Sequence, residues 1–112
     1  MAVYANLTAD QGSAFLSTVS VADVDNNPID LTGYTFRGQA RRTYNSSTAY
    51  DFIVTAPIPV SGELNVQLSS STTAAMKSGR YVYDVEIISS NGAITRVLEG
   101  QLEITPRVTR DS

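Results

Sequence analysis

The chain of 112 residues contains no cysteine, no histidine and no tryptophan. Without cysteine there is no disulfide framework and no thiolate metal site. Without histidine the usual general base at neutral pH is missing, together with most zinc sites and every nucleophilic pairing built on those two residues. Basic residues are also few, eight Lys and Arg against eleven Asp and Glu, for a formal net charge of −3. They are scattered, and Arg41-Arg42 is the one adjacent pair. A nucleic-acid binder carries a basic patch or stripe, so no nucleic-acid partner is expected. The seven glycines are dispersed and form no phosphate cradle. No apolar run reaches the length of a membrane-spanning helix, and no membrane partner is expected. The opening MAVYANLTADQG has neither a basic n-region nor a long apolar stretch, so the expectation is a soluble chain made without a signal peptide.

What the sequence does contain is alternation. From Tyr81 to Ile88, Tyr81, Tyr83, Val85 and Ile87 share one parity, while Val82, Asp84, Glu86 and Ile88 share the other. Strand side chains point to opposite faces in turn, so one face is apolar and the other carries both carboxylates. Ile94, Leu98, Leu102 and Ile104 share a parity on a second segment, with Thr95, Glu99, Gln101 and Glu103 opposite; Arg96 and Val97 break the pattern. Asn91-Gly92 lies between, a pair favoured where both central turn residues need positive φ. The stretch from Gly79 to Thr105 therefore reads as a long antiparallel hairpin. Gly100, inside its second strand, marks a bulge or a close backbone approach.

Around the hairpin the same reading gives shorter strands. They are Val3 to Leu7, Ser13 to Val21, Tyr34 to Arg41, Tyr50 to Thr55 and Gly62 to Leu68. Pro57 and Pro59 keep Ala56 to Pro59 out of any central strand, since proline lacks the ladder donor. Asp23 to Asp30 is dense in turn formers. Its three aspartates invite a calcium reading, but Pro28 interrupts and no acidic residue closes the loop in register, so a β-turn is the better description. Thr72 to Lys77 is the one helical candidate, with Ser70 or Ser71 as cap and Gly79 as terminator. The expected fold is all-β: one antiparallel immunoglobulin-like β-sandwich of about seven strands with one short helical connector, spanning 1–112. Residues 1–7 form an N-terminal strand or arm, and 106–112 a C-terminal tail. Tyr81 or Tyr83, following the helical connector, is positioned to tie its hydroxyl back to the backbone as in the corner before strand F of such sandwiches.

Few residues suggest chemistry. Asp84 and Glu86 share a strand face, with Glu99, Gln101 and Glu103 candidates to lie across from them and Arg37 and Arg41 to balance the carboxylates. On a solvated face such carboxylates are solubilising, so no catalytic residue, cofactor, metal or small-molecule substrate is assigned. Tyr44 and Tyr50 flank a loop and are candidates to stack on a glycan. The termini offer a candidate partner interface: Ala2, Val3 and Tyr4 at one end, Arg107, Val108 and Arg110 at the other, able to add to a neighbour's sheet edge.

Four segments carry a resemblance. They are Leu7-Thr8-Ala9-Asp10-Gln11-Gly12-Ser13-Ala14-Phe15, Asn27-Pro28-Ile29-Asp30-Leu31-Thr32-Gly33-Tyr34-Thr35-Phe36, Gly79-Arg80-Tyr81-Val82-Tyr83-Asp84-Val85-Glu86 and Leu98-Glu99-Gly100-Gln101-Leu102-Glu103-Ile104-Thr105-Pro106-Arg107-Val108-Thr109-Arg110. In this order the chain resembles small immunoglobulin-like virion structural proteins of tailed bacteriophages, cyanophage-like ones especially. It is also similar to the N-terminal sandwich of phage baseplate upper proteins. The resemblance implies a non-enzymatic structural part of a virion, at the tail, baseplate or neck or as a capsid decoration protein. It implies partners among the other virion structural proteins, many copies in a symmetric assembly, and virion localisation after synthesis in the host cytoplasm. The alternative is a receptor- or glycan-binding module for host-surface attachment.

Overall fold

The computed structural model describes residues 3–23 and 25–108. Among the described residues are nine strand segments: β1 (Val3–Tyr4), β2 (Leu7–Asp10), β3 (Phe15–Ser20), β4 (Thr35–Arg41), β5 (Tyr50–Asp51), β6 (Ile53–Thr55), β7 (Glu63–Leu68), β8 (Gly79–Ile88) and β9 (Ile94–Thr105). A 3-10 turn covers Pro59–Ser61, and a short helix, α1, covers Ser70–Ala75. The larger sheet runs β1-β9-β8-β4-β5, with β2 also on β9; the smaller runs β3-β7-β6. The two sheets make an all-β, immunoglobulin-like sandwich. The nine segments fall on seven strand paths, because β1 and β2 follow one another along β9 and β5 leads directly into β6.

Two of those paths break for physical reasons. Between β1 and β2 the Ala5 N–H bonds the Glu99 carbonyl at 2.9 Å, and Asn6 Oδ1 accepts the Gln101 N–H at 3.3 Å, so a side chain replaces one rung of the ladder. At Phe52 the chain changes sheets: β5 pairs with β4, β6 pairs with β7, and Phe52 between them is buried with its N–H on the Gly38 carbonyl. The expected single strand from Tyr50 to Thr55 is thus one path shared by both layers. The N-terminal strands run parallel to β9, so this edge of an otherwise antiparallel sheet is mixed.

The hairpin is β8 and β9, and β4 is the other neighbour of β8. Its loop differs from the expected two-residue turn. Only Gly92 has positive φ (91°), Gly92 N–H bonds the Ser89 carbonyl, and Ser89 N–H bonds the Ala93 carbonyl. That is a three-residue loop closed by a left-handed glycine, which needs one positive φ instead of two. The bulge lies three residues nearer the loop than Gly100, at Val97, where the register shifts between Val85 and Glu86 and Val97 and Leu98 are both buried. Gly100 instead marks a close approach: a Cβ there would sit 2.0 Å from the Ala5 carbonyl oxygen.

The core holds Leu64, Val66, Leu68, Tyr81, Val85, Leu98, Leu102 and Ile104, each at most 2% exposed. The Tyr81 hydroxyl donates to the Lys77 carbonyl at 2.7 Å, the corner bond expected at the start of this strand. Arg42 lies 5.0 Å over its ring and Tyr50 meets it edge-on. The Tyr83 hydroxyl donates to Ala5 at 2.7 Å and so pins the N-terminal arm to the hairpin. Helix α1 is capped by Ser69, whose Oγ accepts the Thr72 N–H at 3.2 Å, one residue earlier than expected. The helix ends at Met76, and Gly79 already belongs to β8. Buried Thr73 donates to Ser13 and accepts from the Gly12 N–H, stitching the entry of β3 to the helix.

Candidate functional site

The outer face of the large sheet gathers the charged residues. Register puts Arg37 opposite Glu86 and Gln39 opposite Asp84 on one side of β8, and Glu99 opposite Asp84 on the other. The bulge adds Arg96. Beyond it the parity of β9 is reversed, so Arg96 projects outward opposite Glu86. These side chains, with Arg41 and Tyr44, border an open depression of about 370 Å³.

Its charges are largely paired with one another. Arg37 Nε meets Glu86 Oε1 at 2.7 Å, and Arg96 reaches both Asp84 and Glu99 at 3.5 Å. Gln39 donates to Asp51, and Arg41 donates to the Ser46 carbonyl. Asp84 is held above the usual carboxylate range, chiefly by burial; Glu86 and Glu99 push the same way, and Arg96 and Arg37 oppose. A carboxyl between two like charges and two guanidinium groups is a member of an ion network. Among the described residues no group of three or more His, Cys, Asp or Glu side chains converges as a metal site. Asp23 Oδ1 accepts the Asp25 and Asn27 N–H groups, and Asp30 Oδ1 accepts from Thr32, which lowers its pKa. Both carboxylates thus brace their own loop, and Asn26 takes the left-handed conformation its turn requires (φ 66°).

No family model matches this sequence, and no curated protein matches it. Among solved structures, an internalin-like protein of Listeria monocytogenes is similar at 14% identity and a TM-score of 0.50. The alignment covers 93% of this chain but 28% of that one, so this chain spans little more than a quarter of its length. The likeness is one of fold.

The two candidate glycan contacts are separated by their burial. Tyr44 is 84% exposed at the rim of the depression, whereas Tyr50 is half-buried against Tyr81. The candidate interface residues do not come together either. Val3 and Tyr4 are exposed beside Leu98 and Glu99. Arg107 packs across Gly12, beyond the other end of β9, and its N–H meets Gln11 Oε1. Val108, beside it, is exposed. Six strand residues, Gly100 to Thr105, separate Glu99 from the segment that carries Arg107, a span of roughly 20 Å. Ala2 and Arg110 lie outside the described residues.

Sequence reasoning anticipated the Arg37 pairing and missed Arg96. The signal was present as the break in alternation at Arg96 and Val97, which is what one extra residue in a strand produces.

Proposed function

We propose that this chain is a non-enzymatic structural component of a tailed-phage virion, a protein–protein assembly module present in many copies. The virion assignment rests on the four ordered segments that resemble phage immunoglobulin-like proteins. The observation that carries the non-enzymatic part is the pairing on the charged face. Arg37 holds Glu86, and Arg96 holds Asp84 and Glu99, so these carboxylates are engaged with neighbours in an open, solvated depression. Catalytic carboxylates are set apart by environment and turned toward a substrate site. Its partners in this reading are other virion structural proteins, at the tail, baseplate, neck or capsid surface.

The test is co-sedimentation. The tagged chain should travel with purified particles at a fixed copy number and resist salt washes. Deleting residues 1–6, or those after Pro106, should leave the sandwich folded and impair incorporation. A chain that never joins particles overturns the proposal.

Tyr44 supports a second reading, a glycan-binding module for host-surface attachment. An exposed aromatic beside Gln39, Arg41 and Asp84 offers a ring for stacking and polar groups for hydroxyls. Glycan-array binding by the isolated chain, abolished by Tyr44→Ala, would favour it. Tyr50→Ala reports on the Tyr81 corner and serves as the packing control.

A further inference from the structure

Strand β3 is an open sheet edge. It pairs with β7 on one side, and on its other side no strand is present among the described residues. Its sequence, Phe-Leu-Ser-Thr-Val-Ser, contains no charge, no proline and no glycine. Proteins ordinarily blunt such edges with charges, prolines, bulges or a covering element. The other small-sheet edge, β6, has three residues and is followed closely by Pro57. The inward side chains of β3 also lack cover: Phe15, Ser17 and Val19 are half-buried, while Leu64, Val66 and Leu68 opposite them on β7 are at most 1% exposed.

The direction of the backbone groups follows from the ladder. Val21 N–H bonds the Gly62 carbonyl at 2.7 Å, on the β7 side. Residues of an antiparallel pair alternate between bonding the partner and pointing away, so Ser17 and Val19 also bond β7. The N–H and C=O groups of Leu16, Thr18 and Ser20 then point out of the edge. The Thr18 Oγ1 to Asn65 Oδ1 contact of 3.0 Å fits, because side chains approach most closely across the non-bonded pairs.

We propose that this edge pairs with the same edge of a second copy, antiparallel about a two-fold axis at Thr18. The register follows from two conditions. Inward residues must meet inward residues, which requires the two residue numbers of each pair to sum to an even value. All outward-pointing groups must also find partners within the strand. Pairing Thr18 with Thr18, and Leu16 with Ser20 in both directions, meets both conditions. It satisfies three N–H and three C=O groups on each copy, brings Phe15 near Val21, and joins two three-stranded sheets into one of six. A strand without charge meets no repulsion from its own copy, which is why the occupant is a second copy rather than a charged partner segment. The self-pairing stands independently of the virion reading, since it is a property of the isolated chain in solution.

The test is sedimentation equilibrium of the full chain with two variants. Thr18→Pro removes an outward N–H that the β7 ladder does not use, so the monomer fold is retained. Thr18→Lys sets like charges directly opposite one another across the axis. The wild-type mass should rise toward twice the monomer as concentration increases to the millimolar range. Both variants should remain monomeric while unfolding cooperatively. If Thr18→Pro fails to fold, the folded Thr18→Lys chain carries the comparison. A wild-type chain that stays monomeric throughout, or a dimer that survives the substitution in a folded variant, overturns the proposal. Capture of an extended peptide at β3 by a monomeric chain overturns the choice of occupant in the same way.

Discussion

On the inner face of the large sheet Val85, Leu102 and Ile104 are at most 1% exposed, whereas Phe15 and Val19, inward on the small sheet's β3, are half-buried. The outer surfaces differ as well. The large sheet carries an ion network of Arg37, Asp84, Glu86, Arg96 and Glu99, while Leu16, Thr18 and Ser20 on the outside of β3 are uncharged. The two sheets differ at an edge as well, through the N-terminal arm. By pairing with β9 it covers one edge of the large sheet and leaves β3 without a neighbour among the described residues. In the large sheet β8 and β9 have neighbours on both sides, whereas β3 has backbone groups still to offer.

The largest expected effect separates the two cores. Leu102→Ala should cost about 2–5 kcal/mol in urea unfolding, the range for a cavity in a filled core. Phe15→Ala, at a half-buried position on the rim of the core, should cost less, roughly 1–2 kcal/mol. Equal losses would remove the distinction.

Next comes the bond that holds the arm. Tyr83→Phe should cost about 1 kcal/mol by deleting the bond to the Ala5 carbonyl. It should also change the alkaline limb. Burial, with a smaller push from Tyr4, raises the Tyr83 hydroxyl to about 12, so the folded chain keeps this proton where the unfolded chain loses it. Stability therefore falls as pH rises from the ordinary tyrosine value of 10.0 to about 12, and Tyr83→Phe should remove that part of the fall.

A smaller effect belongs to Asp84. Its folded pKa is raised, mainly by burial, so its contribution is greatest in acid and declines as pH rises from 3.8 through the folded value. Asp84→Asn should flatten that slope in pH-dependent urea midpoints. The smallest effect is on the exposed pair: Arg37→Ala should shift stability by less than about 0.5 kcal/mol.

Much of this contrast was written in local pattern. The bounds of β8 and β9 coincide with the alternation read between Gly79 and Thr105, because a half-buried strand must alternate and its loop must carry a left-handed residue. The outward set on β4 was legible in the same way. The sheet change at Phe52 was not, since a strand that passes between layers keeps the alternation of one that does not. Nor was the parallel arm, whose partner lies more than ninety residues away in sequence. The charged face was half legible: parity gives its members, but which Arg meets which carboxylate depends on register, and the bulge at Val97 sets it. The open edge of β3 had a signal that went unused, six strand residues with nothing to discourage pairing.

Amide hydrogen exchange on the dilute monomer tests the contrast between β8, paired on both sides, and the edge strand β3 most directly. The account predicts that amides along β8 exchange only through global unfolding, while Leu16, Thr18 and Ser20 exchange rapidly between slow neighbours at Ser17 and Val19. Uniform slow exchange along β3 in the monomer would contradict it.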